Sequence, residues 1–363
     1  MRVKLKDITK FSKGTQINGK NLIDDGAYSY LNGGINPSGK WNEFNVAENT
    51  VTISEGGNSS GYVNYMNDAF WCGAHCYYLY DGPKNSKYLY YALKSQQERL
   101  FRIRSGACMP NIKKSDLGNF IIEYEKDEVR QEEVVKVLEK CELLIEDYNK
   151  KLTLLDEAVR ARFVEMFGDL RINDKGWKYY KLDELTELIT DGEHATPKRT
   201  TQGIYLLSAR NVLNHQLSLE DVDFIDCDEF DRISRRIIPK EGDVLISCSG
   251  SIGRCCIVPK NIKFQMVRSI ALLRFKSNIN PVFAEYMITS DYLQNQINKL
   301  KTASSQANLF QGKIKSLKGV VPPLELQNQF ASFVQEIDKS RLRELLAIKQ
   351  IKLLLNDSWL LLY

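Results

Sequence analysis

The sequence predicts an α+β protein built as a tandem repeat. Two globular domains are each followed by a long α-helix, and the two helices pair as an antiparallel coiled coil. Three observations carry this reading. VKLKDITKF (residues 3–11) returns as YKLDELTEL (180–188), an opening motif in mid-chain. Between Lys126 and Phe167 there is no glycine or proline to interrupt a helix. The same is true from Glu325 to Tyr363. The divisions that follow are residues 1–127 and 170–324 for the globular domains, and 128–169 and 325–363 for the helices.

The first helix is predicted from its apolar spacing. Val134, Leu138, Cys141, Ile145, Tyr148, Leu152, Leu155 and Val159 follow one another at alternating steps of four and three. That spacing is an a/d heptad seam, which Arg162 interrupts and Met166 resumes. About 40 residues at about 1.5 Å each make a rod on the order of 60 Å long, capped at Gly168. A stripe of this length needs a partner helix, and the C-terminal stretch supplies one. Leu326, Phe330, Phe333 and Ile337 keep the same spacing, and Leu345, Ile348, Ile351 and Leu355 are expected to extend it. EVRQEEVVKV (128–137) aligns with ELQNQFASFV (325–334), so the two helices have matching lengths.

The globular domains align piecewise. GAYSYLNGGIN (26–36) parallels GIYLLSARNVL (203–213), each a strand running into a polar loop. ENTVTISEGGNSSGYV (48–63) parallels EGDVLISCSGSIGRCC (241–256), a strand, a Gly/Ser/Asn loop and a second strand. ACMPNIKKSDLGNFII (107–122) parallels QANLFQGKIKSLKGVV (306–321) just before each long helix. One helix is predicted near 87–101 and another near 280–297.

Composition narrows the class. The 363 residues are 43% hydrophobic and 26% charged, as in water-soluble globular proteins, and no apolar run reaches the roughly 18 residues a membrane span needs. MRVKLKDITK lacks the apolar core of a signal peptide, so the expectation is a cytoplasmic protein with eight reduced cysteines. Charge is unevenly spread: residues 123–169 carry a net −6, leaving +10 for the rest of a chain whose total is +4. An acidic rod beside basic globules suits a polyanionic partner held off the rod, although a solvated helix beside mildly basic domains explains the same balance.

Catalytic motifs are absent. There is no phosphate-cradling GxxxxGK[ST] loop, no dinucleotide fingerprint, and no Asn/Asp-Pro-Pro-aromatic word of an amino-methyltransferase. His75, His194 and His215 have no evident triad partners. Cys72-Gly-Ala-His75-Cys76 has no second ligand pair, so no metal site is expected and the cysteines read as small buried hydrophobes.

The words ARFVEMFGD (161–169), GVVPPLELQNQF (319–330), ITDGEHATPKRT (189–200), GIYLLSARNV (203–212), TISEGGNSSGYVNY (52–65) and FWCGAHCYYLY (70–80) carry a resemblance. In their order within a two-fold repeat, over nearly the whole chain, the sequence resembles the DNA-specificity subunit of type I restriction-modification systems. The resemblance implies two target-recognition domains, each reading half of a split site in double-stranded DNA. It implies helices that dock two methyltransferase subunits, and a separate motor-nuclease restriction subunit. S-adenosylmethionine, ATP and Mg would then sit on partner subunits and none in this chain, which would not itself be an enzyme. The chain ends NDSWLLLY (356–363) and lacks a second VEMFGD-like word, so its apolar tail is expected against the helix pair or a partner.

Base edges are read mainly by Arg, Lys, Asn and Gln side chains, with Ser, Thr and His assisting. In the first domain the candidates are Asn32, Asn36, Lys40, Asn58, Ser59, Ser60, Arg104, Lys113 and Lys114. In the second they are His194, Lys198, Arg199, Arg210, Asn211, Ser249, Ser251, Arg254, Arg268, Gln306 and Asn308. For each, a solvent-facing structural role is the alternative. Two rival functions stay open here: a stand-alone or orphan DNA-binding protein without enzymatic partner, and a coiled-coil scaffold whose globules bind protein. Co-purification with a methyltransferase separates the first from the specificity subunit, and salt-dependent DNA binding separates the second.

Overall fold

The computed structural model describes residues 1–106, 108–300 and 308–361, with side chains described through Leu355. The chain forms two compact units, Met1–Asn149 with Leu345–Tyr363, and Lys150–Glu344. Each unit therefore holds one globule together with part of both long helices. The reason is the seam: apolar helix faces are buried against the globule beside them.

In the first unit, an antiparallel sheet runs in the order Lys10–Lys13, Cys76–Tyr80, Thr50–Ser54, Val63–Met66. A second sheet orders Gly39–Trp41, Tyr28–Leu31, Phe70–Cys72, the last two parallel. Arg2–Lys4 pairs with Ile121–Glu123 and closes the globule, bringing its two ends together. The core joins Leu5, Val51, Ile53, Val63, Tyr77 and Leu93 to Val134, Val135 and Leu138 of the first long helix, with Leu355 of the second packed against it.

The second unit repeats this plan. Its sheet runs Thr186–Asp191, Ile270–Phe275, Val244–Ser247, Cys255–Ile257. Beside it lie Asp223–Ile225, Ile204–Leu207 and Phe264–Met266, the last two again parallel. Tyr179–Lys181 pairs with Lys318–Val320 as its counterpart does. The returning motif is explained by Leu5 and Leu182, both wholly buried at the start of a short helical turn that leads into the first sheet strand.

Sequence and structure differ in the helices inside the globules and in two alignments. Each predicted single helix is two: Ser86–Lys94 and Gln97–Arg102, then Pro281–Thr289 and Asp291–Leu300. Asn85 and Asn280 cap the first of each pair by accepting from Tyr88 N and Val282 N. Asn111 and Asn308 occupy corresponding places, each bridged to the Gly/Ser loop, so the segment before the long helices aligns two residues away from the match read in sequence. Buried Ile112 and Leu309, then Leu117 and Ile314, hold that register. The strands Tyr28–Leu31 and Ile204–Leu207 also align one residue away from the sequence match, with Leu31 and Leu207 in equivalent parallel pairings.

The long helices run Glu128–Phe167 and Leu324–Leu361. Gly168 ends the first at φ +79°, where an added Cβ would meet Asp174 Oδ1 at 2.1 Å. Within the second unit the helices are antiparallel. Lys151 pairs with Glu344, Asp156 Oδ1 accepts from Arg341 at 2.6 Å, and Phe163 and Phe167 meet Phe330 at 5.4 and 5.5 Å between ring centroids. Val159, Phe330, Phe333 and Ile337 join that core. Ile145, Tyr148, Leu152 and Leu155 are half-buried, flanked by exposed Leu143, Leu144 and Leu154. One expectation fails: Leu345 is exposed, and the stripe passes instead through Arg341 and buried Glu344 to Ile348. Two ionic residues thus replace apolar ones in mid-helix. The side chains of the apolar tail at 356–363 lie outside the described residues.

Candidate nucleic-acid interface

The second unit's four-stranded sheet sends its loops out at one end. Asp191 stands opposite Ala271, Ser247 opposite Ile270, and Cys255 opposite Ile246, so the segments beyond them emerge together. Backbone bonds tie these segments to one another: Gly192 N to Ile270 O at 3.0 Å, Arg268 N to Glu193 O at 3.0 Å, and Cys248 N to Ser269 O at 2.8 Å. The segment before the second long helix joins them, with Leu309 N donating to Cys248 O at 2.9 Å and Gln311 Nε2 to Ile189 O. Ala209 N donates to Ser269 Oγ at 3.0 Å, which brings in the turn carrying Arg210. His194, Lys198, Arg199, Arg210, Ser249, Ser251, Arg254, Arg268 and Asn308 therefore lie on one cluster of loops.

Their charges are not equally available. Asp223 accepts from Arg199 Nε at 3.0 Å and lies 3.2 Å from Arg210 Nη2, while Asp191 holds His194 Nε2 at 2.8 Å. Arg254, Arg268 and Lys198 form no ion pair among the described residues. Asn211 is buried: its Oδ1 accepts from Ser208 N, and its Nδ2 donates to Ser218 O and Asp221 O. It shapes the turn and is withdrawn as a base reader. Gln306 lies outside the described residues.

The segment 191–200 is held by charged residues that the sequence reading passed over. Arg236 Nη2 donates to Asp191 at 2.6 Å, and Glu229 accepts from Lys198 N at 3.1 Å and from Arg232 Nε at 2.8 Å. The Arg232 guanidinium pulls the Glu229 carboxyl down to about 2. Glu229 and Arg232 lie in the helix Cys227–Ser234 and Arg236 just beyond it, so all three are distant in sequence from the segment they hold.

The first unit has the same design. Lys13 lies opposite Tyr77, Ser54 opposite Cys76 and Ile53 opposite Val63, so the segments around 14, 55–62 and 73–75 share one sheet end. Gly33 O accepts from Ser54 Oγ and Ser59 Oγ, and Asn32 Oδ1 from His75 N. Gly33 sits at φ +89°, its absent Cβ 2.2 Å from His75 O, so a side chain there would separate the loops. Gly57 N donates to Pro110 O, and Ile112 N to Glu55 O, both at 2.9 Å, adding the segment that bears Arg104, Lys113 and Lys114. Asn36, Lys40, Asn58, Lys113 and Lys114 are exposed, and the Arg104 guanidinium lies 4.0 Å from the Phe101 ring. Ser60 is wholly buried and donates to Glu55 O at 2.8 Å, so it too is withdrawn. Glu55 bridges Lys13 Nζ at 2.5 Å and His75 Nδ1 at 3.3 Å in the middle of this surface.

Among the described residues, no group of three or more His, Cys, Asp or Glu side chains is placed to hold a metal ion, and no helix is long and apolar enough to cross a membrane. Cys72, Cys76, Cys248, Cys255 and Cys256 are buried free thiols.

Known proteins resemble this arrangement. A putative type I specificity subunit of Mycoplasma pneumoniae is 32% identical over 209 residues, covering 50% of this chain and 56% of that protein. The type I restriction enzyme MjaVIII specificity subunit of Methanocaldococcus jannaschii is 23% identical over 269 residues, covering 69% of this chain and 63% of that protein. The chain thus spans about half to two thirds of the length of these curated relatives. The crystal structure of a type I restriction-modification S subunit from M. genitalium superposes with a TM-score of 0.62 at 18% identity, covering 100% of this chain and 96% of that one. A chain from a structural study of type I R-M complex assembly and conformational transition gives 0.53 at 14% identity, covering 99% and 97%. These two likenesses concern the fold. The family model for the type I restriction modification DNA specificity domain matches residues 1–155 and 174–353, nearly the whole chain, and the protein belongs to that family.

Proposed function

We propose that this chain is the DNA-reading, non-catalytic subunit of a type I restriction-modification complex. Each globule reads one half of a bipartite site, and the helices dock two methyltransferase subunits that methylate adenine. Restriction would need a motor-nuclease subunit as well. S-adenosylmethionine, ATP and Mg belong to those partners. The observation that carries the reading is the repeated loop cluster: in both units, sheet-end loops with exposed Lys, Arg, Asn and Ser side chains are tied together by backbone bonds. Such a surface suits base edges and phosphates.

Docking is supported by the outward faces of the helices. Leu143, Leu144 and Leu154 on the first, and Leu342, Leu345, Leu346 and Leu353 on the second, are exposed apolar side chains. Rows of exposed leucine mark a surface that a partner covers.

The test is domain exchange. With its methyltransferase subunits co-expressed, the chain should direct adenine methylation to one bipartite sequence, mapped by single-molecule sequencing. Replacing residues 170–324 by the matching domain of a relative should change one half of that sequence only. A change in both halves, or methylation by the purified chain with S-adenosylmethionine alone, would overturn the reading.

A further inference from the structure

The second unit's reading surface contains a group that cannot hydrogen-bond. Phe310 is 60% exposed, whereas its neighbour Leu309 is 2% exposed in the core. Its backbone is extended, at φ −78° and ψ 152°, so consecutive side chains point to opposite sides and the burial of Leu309 turns Phe310 outward. Ile172 and Ile238 are exposed in this unit too, but neither is bonded into the cluster of loops that carries Phe310. Tyr179 bonds Leu170 O through its hydroxyl and its ring faces Tyr292, while Leu154 and Leu342 lie on the long helices. The Phe310 ring has no aromatic or cationic partner among the described residues.

Its place is well defined. Asn308 is bridged to Ser249, Leu309 N is bonded to Cys248 O, and Gln311 reaches Ile189 O. Phe310 therefore stands where the loops bearing Ser249, Arg268 and His194 converge. In the register that pairs Asn111 with Asn308, the first unit carries exposed Lys113 at the position of Phe310, so the apolar group is particular to the second unit.

We propose that Phe310 is a specificity-determining residue that contacts the C5-methyl group of a thymine in the half-site read by the second unit. This deepens the DNA-reading function above and rests on it. Serine, asparagine and arginine read hydrogen-bond donors and acceptors on base edges. The thymine methyl offers neither and is read only by apolar contact. A half-site methylated on adenine contains at least one thymine, opposite the target base.

The experiment uses the full chain assembled with its methyltransferase subunits and duplexes bearing the mapped site. Each thymine of the second half-site is replaced singly by deoxyuridine, which removes the methyl and nothing else. For the wild type, one position should lose about fourfold in affinity, the effect of one methyl-sized apolar contact. The F310A variant should bind the thymine and deoxyuridine duplexes equally, and F310L should retain part of the difference. Because the side chain is exposed, F310A should melt as the wild type does. The proposal is overturned if no position discriminates, if F310A still discriminates, or if the half-site holds no thymine. Failure of the wild-type complex to prefer the mapped site over a scrambled duplex would instead remove the DNA-reading function itself.

Discussion

Arg268 and Asp223 show how single residues divide the proposed DNA-reading surface. Arg199 and Arg210 share Asp223, so much of their charge is satisfied before DNA arrives. Arg268 is exposed, has no ion-pair partner among the described residues, and is fixed through its own N–H to Glu193 O. Arg268→Ala should therefore weaken binding by about 1–3 kcal/mol and relax one base position if the guanidinium reads a base edge. If it meets a phosphate, the loss should be uniform across sequences and the log–log salt slope should fall by about 1. A titration of Arg268→Ala that matches the wild type at all salt concentrations would remove it from the interface. Glu229 gives a pH prediction. Its folded-state value of about 2 lies below its ordinary 4.5, so its contribution to stability is present above about pH 4.5 and is lost as pH falls through about 2. The stability gap between wild type and Glu229→Gln should be constant above that window and close within it, read by urea melts at stepped pH. A gap independent of pH would show that the ionised Glu229 carboxylate beside Arg232 does not contribute to stability.

At the scale of elements, the helix pair combines an aromatic layer with an ionic one. Phe330 is fully buried against Phe163, Phe167 and Tyr286, so Phe330→Ala should cost about 3–5 kcal/mol. About four turns along, Glu344 is buried while its partner Lys151 is 56% exposed. Losing one partner of a fully buried pair costs roughly 3–5 kcal/mol, so Lys151→Met should cost less than that, because water reaches the lysine. Replacing both, with Lys151→Met and Glu344→Leu, should restore most of the loss, since no buried charge is then left alone. A double variant no more stable than the single one would mean that Glu344 serves the fold through another contact. An ionic residue in an apolar seam penalises sliding by a turn, which is the best attested use of such groups.

At the scale of the whole molecule, two readers joined through helices should read half-sites at a set spacing. Each residue added to a helix lengthens it by about 1.5 Å and turns it by about 100°. Four residues inserted between Lys140 and Leu152 keep the apolar stripe nearly in phase and add about 6 Å, close to two base pairs. The insertion variant, mapped by methylation, should recognise the same half-sites with a wider unread spacer. An active variant that keeps the original spacing would show that the helices do not set it.

Much of this plan was legible without coordinates, because it rests on periodicity. The returning Leu5/Leu182 motif, the four-three spacing of Val134 to Val159, and the glycine at 168 state the duplication and the helix in residue order alone. The hydrophobic effect makes such patterns readable: a buried stripe must recur at the helix period whatever it packs against. Where chain segments distant in sequence meet, the pattern falls silent. No local signal announces that Arg236 and Glu229 hold the 191–200 loop, that Ser60 and Asn211 turn inward, or that Asp223 occupies two of the candidate arginines. The stripe was expected at Leu345, yet Arg341 and Glu344 took its place because Asp156 and Lys151 stand opposite. Sequence by itself determined which faces must be covered. Tertiary structure decided which side chains are spent on the fold and which, like Arg268 and Phe310, stay exposed for the proposed DNA contact, since that depends on the partner each side chain finds across the chain.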